Sequence, residues 1–149
     1  MEPLPFILWL LFITLIFAFG LGSMVRAYRG RGSLEIIFAE AICPTPPPIL
    51  NEEAALQFEK GCTAFGANQY RQAIDCFRRA IQLDPGFAEA YHNRGRATAN
   101  LRQLNEAIGD LLQASEQYLA QDNVAGFDRV RQDLETLKAR SQTSAKSNE

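Results

Sequence analysis

His92 has Arg96 one helical turn after it and Glu89 just before it, and it is the only histidine in the chain; with Cys43, Cys62 and Cys76 it makes up the stock of soft ligands and bases. Three cysteines with no C-x-x-C pair indicate neither a disulfide framework nor a zinc site, and all three read as ordinary small or loop residues. In a cytoplasmic domain they stay reduced. A general base needs a nucleophile or an orienting partner nearby, and none accompanies His92, which reads as an exposed structural or recognition residue. Glu52 and Glu53 stand at a helix start, where negative charge complements the macrodipole. Gly30 and Gly32 alternate with arginine and form no phosphate loop. The expectation is a protein that is not an enzyme and carries no metal or cofactor.

The elements that position these residues are legible as a repeat. Gly61 recurs as Gly95, Ala73 as Ala107, Ile74 as Ile108 and Ala80 as Ala114, each 34 residues on, while Tyr70 and Phe77 are matched in size by Leu104 and Leu111. The spacing predicts a helix from Glu52 to about Gly66, capped by Asn51, then a turn at Ala67-Asn68 and a second helix from Gln69 to Leu83. Asp84-Pro85-Gly86 stops it, because proline neither donates to the ladder nor lets the residue before it stay helical. A second copy follows with helices from Phe87 to Leu101 and from about Asn105 to Tyr118. The closing Asp-Pro is absent there, so this helix is free to run on for a turn. From 122 to 140, Val124, Phe127, Val130, Leu134 and Leu137 form an apolar stripe opposite Asp128, Arg129, Arg131, Asp133, Glu135 and Lys138, as a capping helix requires. Residues 141–149 are polar and read as a disordered tail.

Gly61, Tyr70, Ala73, Phe77, Ala80 and Pro85, with Tyr91, Gly95, Ala107 and Ala114 in the second copy, resemble the tetratricopeptide repeat family. The resemblance covers residues 54 to about 121, with repeats at about 54–87 and 88–121. Gln57 and Lys60 stand where the family has large apolar residues, and Ala64 where it has an aromatic. The implied fold is all-α: one N-terminal transmembrane helix, two helix-turn-helix repeats and a capping helix. The family binds partners on the concave face of the first helices, which here implies Ala55, Phe58, Cys62 and Phe65 as an apolar half and Glu89, His92, Asn93, Arg96 and Asn100 as a polar half. Such a face suits a helix or an extended segment with one apolar side. Some relatives clamp a chaperone's terminal carboxylate with lysines and asparagines. Only Asn93 matches that set, since Phe58 and Cys62 occupy places of a clamp Lys and Asn, so this binding mode is not expected.

The N-terminal part has a different character. From Phe6 to Val25, twenty residues carry no ionisable side chain, enough to cross a hydrocarbon core of about 30 Å as a helix. The run is too long, and its start too poor in basic residues, for a cleaved signal peptide. Arg26, Arg29 and Arg31 follow it, so the expected orientation is N-terminus out, with the repeats on the cytoplasmic or stromal-equivalent side. Ala18 and Gly22 are small enough to let two such helices meet, a homodimer with no other support in the sequence. In 32–51, Ser33 is placed to cap a short apolar helix through Leu34, Ile36, Ile37 and Phe38, lying at the membrane surface or packed on the following domain. Pro44, Pro46, Pro47 and Pro48 then form a semi-rigid spacer. With 15 Lys and Arg against 17 Asp and Glu, nucleic acid is not an expected partner.

The resulting expectation is a single-pass membrane scaffold for protein-protein interaction, an assembly or docking factor for a membrane complex, bound to the bilayer through residues 6–25. The anchor-plus-repeat layout resembles cyanobacterial and plastid photosystem I assembly factors, which would place it in the thylakoid membrane. The alternatives are a structural subunit of a membrane complex and a presequence binder similar to mitochondrial import receptors.

Overall fold

The computed structural model describes residues 9, 13, 14, 16, 36–43 and 51–146. The chain divides into two units, residues 1–35 and 36–149. In the first, Trp9, Ile13, Thr14 and Ile16 are helical, and Trp9 and Ile16 are exposed. Among the described residues no helix is long and apolar enough to cross a membrane. The expected span at 6–25, the Ser33 cap and the proline spacer lie almost wholly outside the described residues.

The second unit is built from helices: α1 (Glu52–Gly66), α2 (Tyr70–Leu83), α3 (Ala88–Asn100), α4 (Leu104–Ala120) and α5 (Val124–Lys146). Asn51 caps α1 as its side-chain oxygen accepts the N–H groups of Glu53 at 2.9 Å and Ala54 at 3.2 Å. That satisfies two donors that have no partner inside the helix. Asp84 ends α2, and its carboxylate accepts the Gly86 N–H at 3.0 Å. Each hairpin turns on one residue of left-handed conformation, Asn68, Arg102 and Asp122, with φ of 59°, 67° and 53°.

Consecutive helices pack as neighbours, α1 on α2, α2 on α3, α3 on α4 and α4 on α5. The repeated small residues account for the closeness. A Cβ on Gly61 would sit 2.5 Å from the Phe77 ring, and one on Gly95 would press on Leu111 at 3.1 Å. Ala73, Ala80, Ala107 and Ala114 are fully buried on the facing helices. Gly126 plays the same part for α5, where a Cβ would meet the Tyr118 ring at 2.5 Å.

Three expectations are corrected. Residues 36–43 are extended, with bends at Ile37 and Glu40, and no part of the expected Leu34–Phe38 helix appears among them. Their amides bond to side chains of α3, which replaces the helical ladder. α5 continues to Lys146, past the expected start of a disordered tail at Ser141. Asp133, placed on the solvent face of α5, is 5% exposed. It sits between Val130 and Leu137, at spacings of three and four, and so belongs to the docked stripe.

Candidate functional site

α3 offers a face built from polar side chains, and the extended strap of residues 36–43 lies along it. Asn93 and Asn100 are seven positions apart, two helical turns or about 10.5 Å. Each carboxamide presents one acceptor and two donors, which matches a peptide unit's own donor and acceptor. Asn100 Oδ1 accepts the N–H groups of Ile37 and Phe38, both at 2.9 Å, and its Nδ2 donates to the Phe38 carbonyl at 2.8 Å. Asn93 Oδ1 accepts the Ile42 N–H at 2.7 Å and Nδ2 donates to the Ile42 carbonyl at 2.7 Å. The strap therefore runs antiparallel to α3. Four residues of fully extended chain would span about 13 Å, and the bend at Glu40 shortens this to fit the two asparagines.

Between them Arg96 donates to the Glu40 carbonyl at 3.0 Å and stacks its guanidinium 4.9 Å from the centre of the Phe38 ring. Phe38 is the one strap side chain that is buried. Arg96 is fixed from behind, because its Nη2 donates to Asp133 Oδ1 at 2.9 Å while Nε reaches the other oxygen. The same carboxylate holds His92, whose Nε2 lies 2.8 Å from Asp133 Oδ2. Burial raises the Asp133 carboxyl, but hydrogen bonds from His92 and Arg96 outweigh it and hold the group below its ordinary value. Burial lowers His92, against the pull of Asp133, so the ring is neutral. Nε2–H then donates to the carboxylate, and Nδ1 accepts from the Tyr118 hydroxyl 3.4 Å away. Glu89 adds a buried carboxyl that burial pushes up, with Oε2 unpartnered among the described residues.

His92 is thus fully buried, not exposed as expected, and it serves to orient Asp133 and Tyr118. Glu89, His92, Asn93, Arg96 and Asn100 do cluster along α3. Phe58 and Phe65 do not join them at an open surface: Phe58 packs between Phe77 and Phe87, with ring centroids 5.6 and 4.6 Å away, and Phe65 meets Tyr70 edge-on at 5.2 Å. Both rings are buried in the hairpin core. Cys62 is no free residue of the face. It forms a disulfide with Cys43, the Cα atoms 6.4 Å apart, which corrects the reading of both as unpaired thiols. Cys76 remains free. Among the described residues no cluster of His, Cys, Asp and Glu could hold a metal ion.

The fold defines a helical-hairpin repeat domain. The comparisons agree with that class. The family model for the TPR repeat matches residues 65–101. The Protein STIP1 homolog of Dictyostelium discoideum is 34% identical over 67 residues, 44% of this chain and 12% of that protein. The chain thus spans a small part of that relative's length. No solved structure matches.

Proposed function

We propose that this chain is a membrane-anchored interaction scaffold that holds an extended segment of a partner protein in the groove of α3, acting as an assembly or docking factor for a membrane complex. The observation that carries the reading is the pair of asparagine clasps, Asn93 on Ile42 and Asn100 on Ile37 and Phe38. Side-chain amides that offer main chain both an acceptor and donors suit an extended segment of any sequence, and the place of Phe38 adds a preference for an aromatic. The TPR repeat match at 65–101 supports a protein partner. The apolar run at 6–25 and the arginines after it support an anchor with the repeats on the cytoplasmic or stromal-equivalent side. An anchor raises the effective concentration of a weak binder near membrane clients. The layout, similar to photosystem I assembly factors, makes a photosynthetic membrane the first place to look.

The test is crosslinking in native membranes with mass-spectrometric identification, comparing the wild-type chain with an Asn93→Ala/Asn100→Ala variant. Crosslinks to subunits of one membrane complex that vanish in the variant are expected. Crosslinks equal in both proteins would show that this groove is not the docking surface.

A further inference from the structure

We propose that residues 36–43 are a tethered pseudo-ligand that closes the α3 groove while Cys43 and Cys62 are joined, and that a dithiol reductant opens it to a partner's extended segment bearing an aromatic side chain in the place of Phe38. The inference rests on the docking function proposed for the groove and adds both the chemistry of the occupant and its control.

The strap is held mainly as a ligand would be, through its main chain. Five of its contacts to Asn93 and Asn100 use only main-chain N–H and carbonyl groups, as does the bond from Arg96 to Glu40. Any extended chain offers those groups. Most of the core comes from the helices, through Phe58, Phe77 and Phe87 around the first hairpin and Leu111, Tyr118, Val130 and Leu137 between α4 and α5, and the strap adds Phe38 to it, with Ile37 and Ala41 packed alongside. The most buried strap side chain is Phe38, 7% exposed, which lies beneath the Arg96 guanidinium. An aromatic ring satisfies that place through cation–π stacking as well as burial.

The disulfide is placed to lock this ligand. Cys43 adjoins Ile42, the residue held by Asn93, and Cys62 lies in the middle of α1. The strap is therefore pinned to α1 by a covalent bond at the very end where it is clasped to α3, which keeps Ile42 close to Asn93. Cys43 is exposed, so a reductant reaches it. A thiolate of the reductant attacks Cys43 Sγ, the Sγ–Sγ bond breaks, and Cys62 departs as a thiolate that takes a proton. The reductant's second thiolate then attacks the mixed disulfide, releasing Cys43 as a thiol and leaving the reductant as its own disulfide. Two electrons pass from the dithiol to the protein, and both cysteines end as thiols. The freed strap is still joined to Asn51 through residues 44–50, so it competes at high effective concentration, and a partner enters readily only when it too is concentrated nearby.

The test uses the full chain in detergent and a fluorescent synthetic peptide of residues 36–43 with serine in place of cysteine, followed by anisotropy. The oxidised protein is expected to bind it at least about tenfold more weakly than the protein reduced with dithiothreitol. Phe38→Ala, which weakens the built-in competitor, should tighten binding further in the reduced state, and Cys43→Ser/Cys62→Ser should bind equally with and without reductant. Circular dichroism of each variant verifies that the helices persist, and Asn93→Ala/Asn100→Ala added to the serine variant should abolish binding. Equal binding by oxidised and reduced wild-type protein would overturn the lock while leaving the groove as a docking site. No binding by reduced, folded Phe38→Ala protein would overturn the pseudo-ligand and the docking function together.

Discussion

The two hairpins have one backbone plan and differ in the inner face of their first helix. In α1–α2 the largest buried residues are aromatic, Phe58, Phe65 and Phe77, with Ile81 beside them and Phe87 closing over them. In α3 the corresponding face is polar, with Glu89, His92, Asn93 and Asn100 buried and Arg96 braced by Asp133. A repeat pattern specifies where two helices of a hairpin touch, through Gly61 on Phe77 and Gly95 on Leu111. It leaves the remaining face free to vary. The first hairpin spends that face on its own stability, and the second uses it to hold a chain segment and the last helix.

This contrast can be broken by substitution. The largest effect is expected for Phe77→Ala, which removes a fully buried ring from the first core and should cost about 3–5 kcal/mol in urea denaturation. Next comes Asp133→Asn. It leaves Arg96 without its anion and weakens the tie to His92, and should cost roughly 3 kcal/mol, with α5 loosening first in amide exchange. If Asp133→Asn proved as mild as an ordinary surface change, within about 0.5 kcal/mol, the second hairpin would not be held by its polar network.

A smaller effect separates the hairpins by pH. His92 is depressed by burial from an ordinary value of 6.5, and the groups facing it are Asp133, Arg96, Arg129 and Tyr118. Below that value the unfolded chain takes up a proton that the folded chain refuses, so stability falls as pH drops through this window. At about pH 5.5 the loss is at most about 1.4 kcal/mol, a melting-temperature decrease of a few degrees. Asp133 is also depressed, and its contribution is lost only at lower pH, below its ordinary 3.8. Glu89 is raised and opposes the trend above its ordinary 4.5, because there the folded chain retains a proton that the unfolded chain gives up. Thermal melts from about pH 7.5 to 5.5 should show the decrease in the wild-type protein and none in His92→Gln.

Much of the fold is readable in the amino acids because the signals are local. The period of 34 places both hairpins, and the Asn51 cap and the Asp84-Pro85-Gly86 stop set helix ends to within a residue or so of those observed. Asn93, Arg96 and Asn100 were identifiable as a polar face of α3. Their occupant was not, since an extended strap bound through its backbone leaves almost no mark in side-chain types. Phe38 alone hints at it. The Cys43–Cys62 pair was hidden for a similar reason: it joins the strap to α1 across 19 residues with no spacing motif to mark it. Asp133 had a readable signal, a charged residue spaced three after Val130 and four before Leu137 on an otherwise apolar stripe. A charge in that position needs a buried partner, and Arg96 with His92 supplies it.

The central claim is that the α3 asparagines hold main chain, and amide hydrogen exchange of the full chain tests it most directly. In the wild-type protein the amides of Ile37, Phe38 and Ile42 should exchange slowly despite lying outside any helix. Asn100→Ala removes the acceptor for two of them, and with a net hydrogen bond contributing about 1 kcal/mol each should exchange at least several-fold faster while Ile42 stays protected. Asn93→Ala should do the reverse. Fast exchange at all three amides in the oxidised wild-type protein, or no change in either variant, would contradict the account.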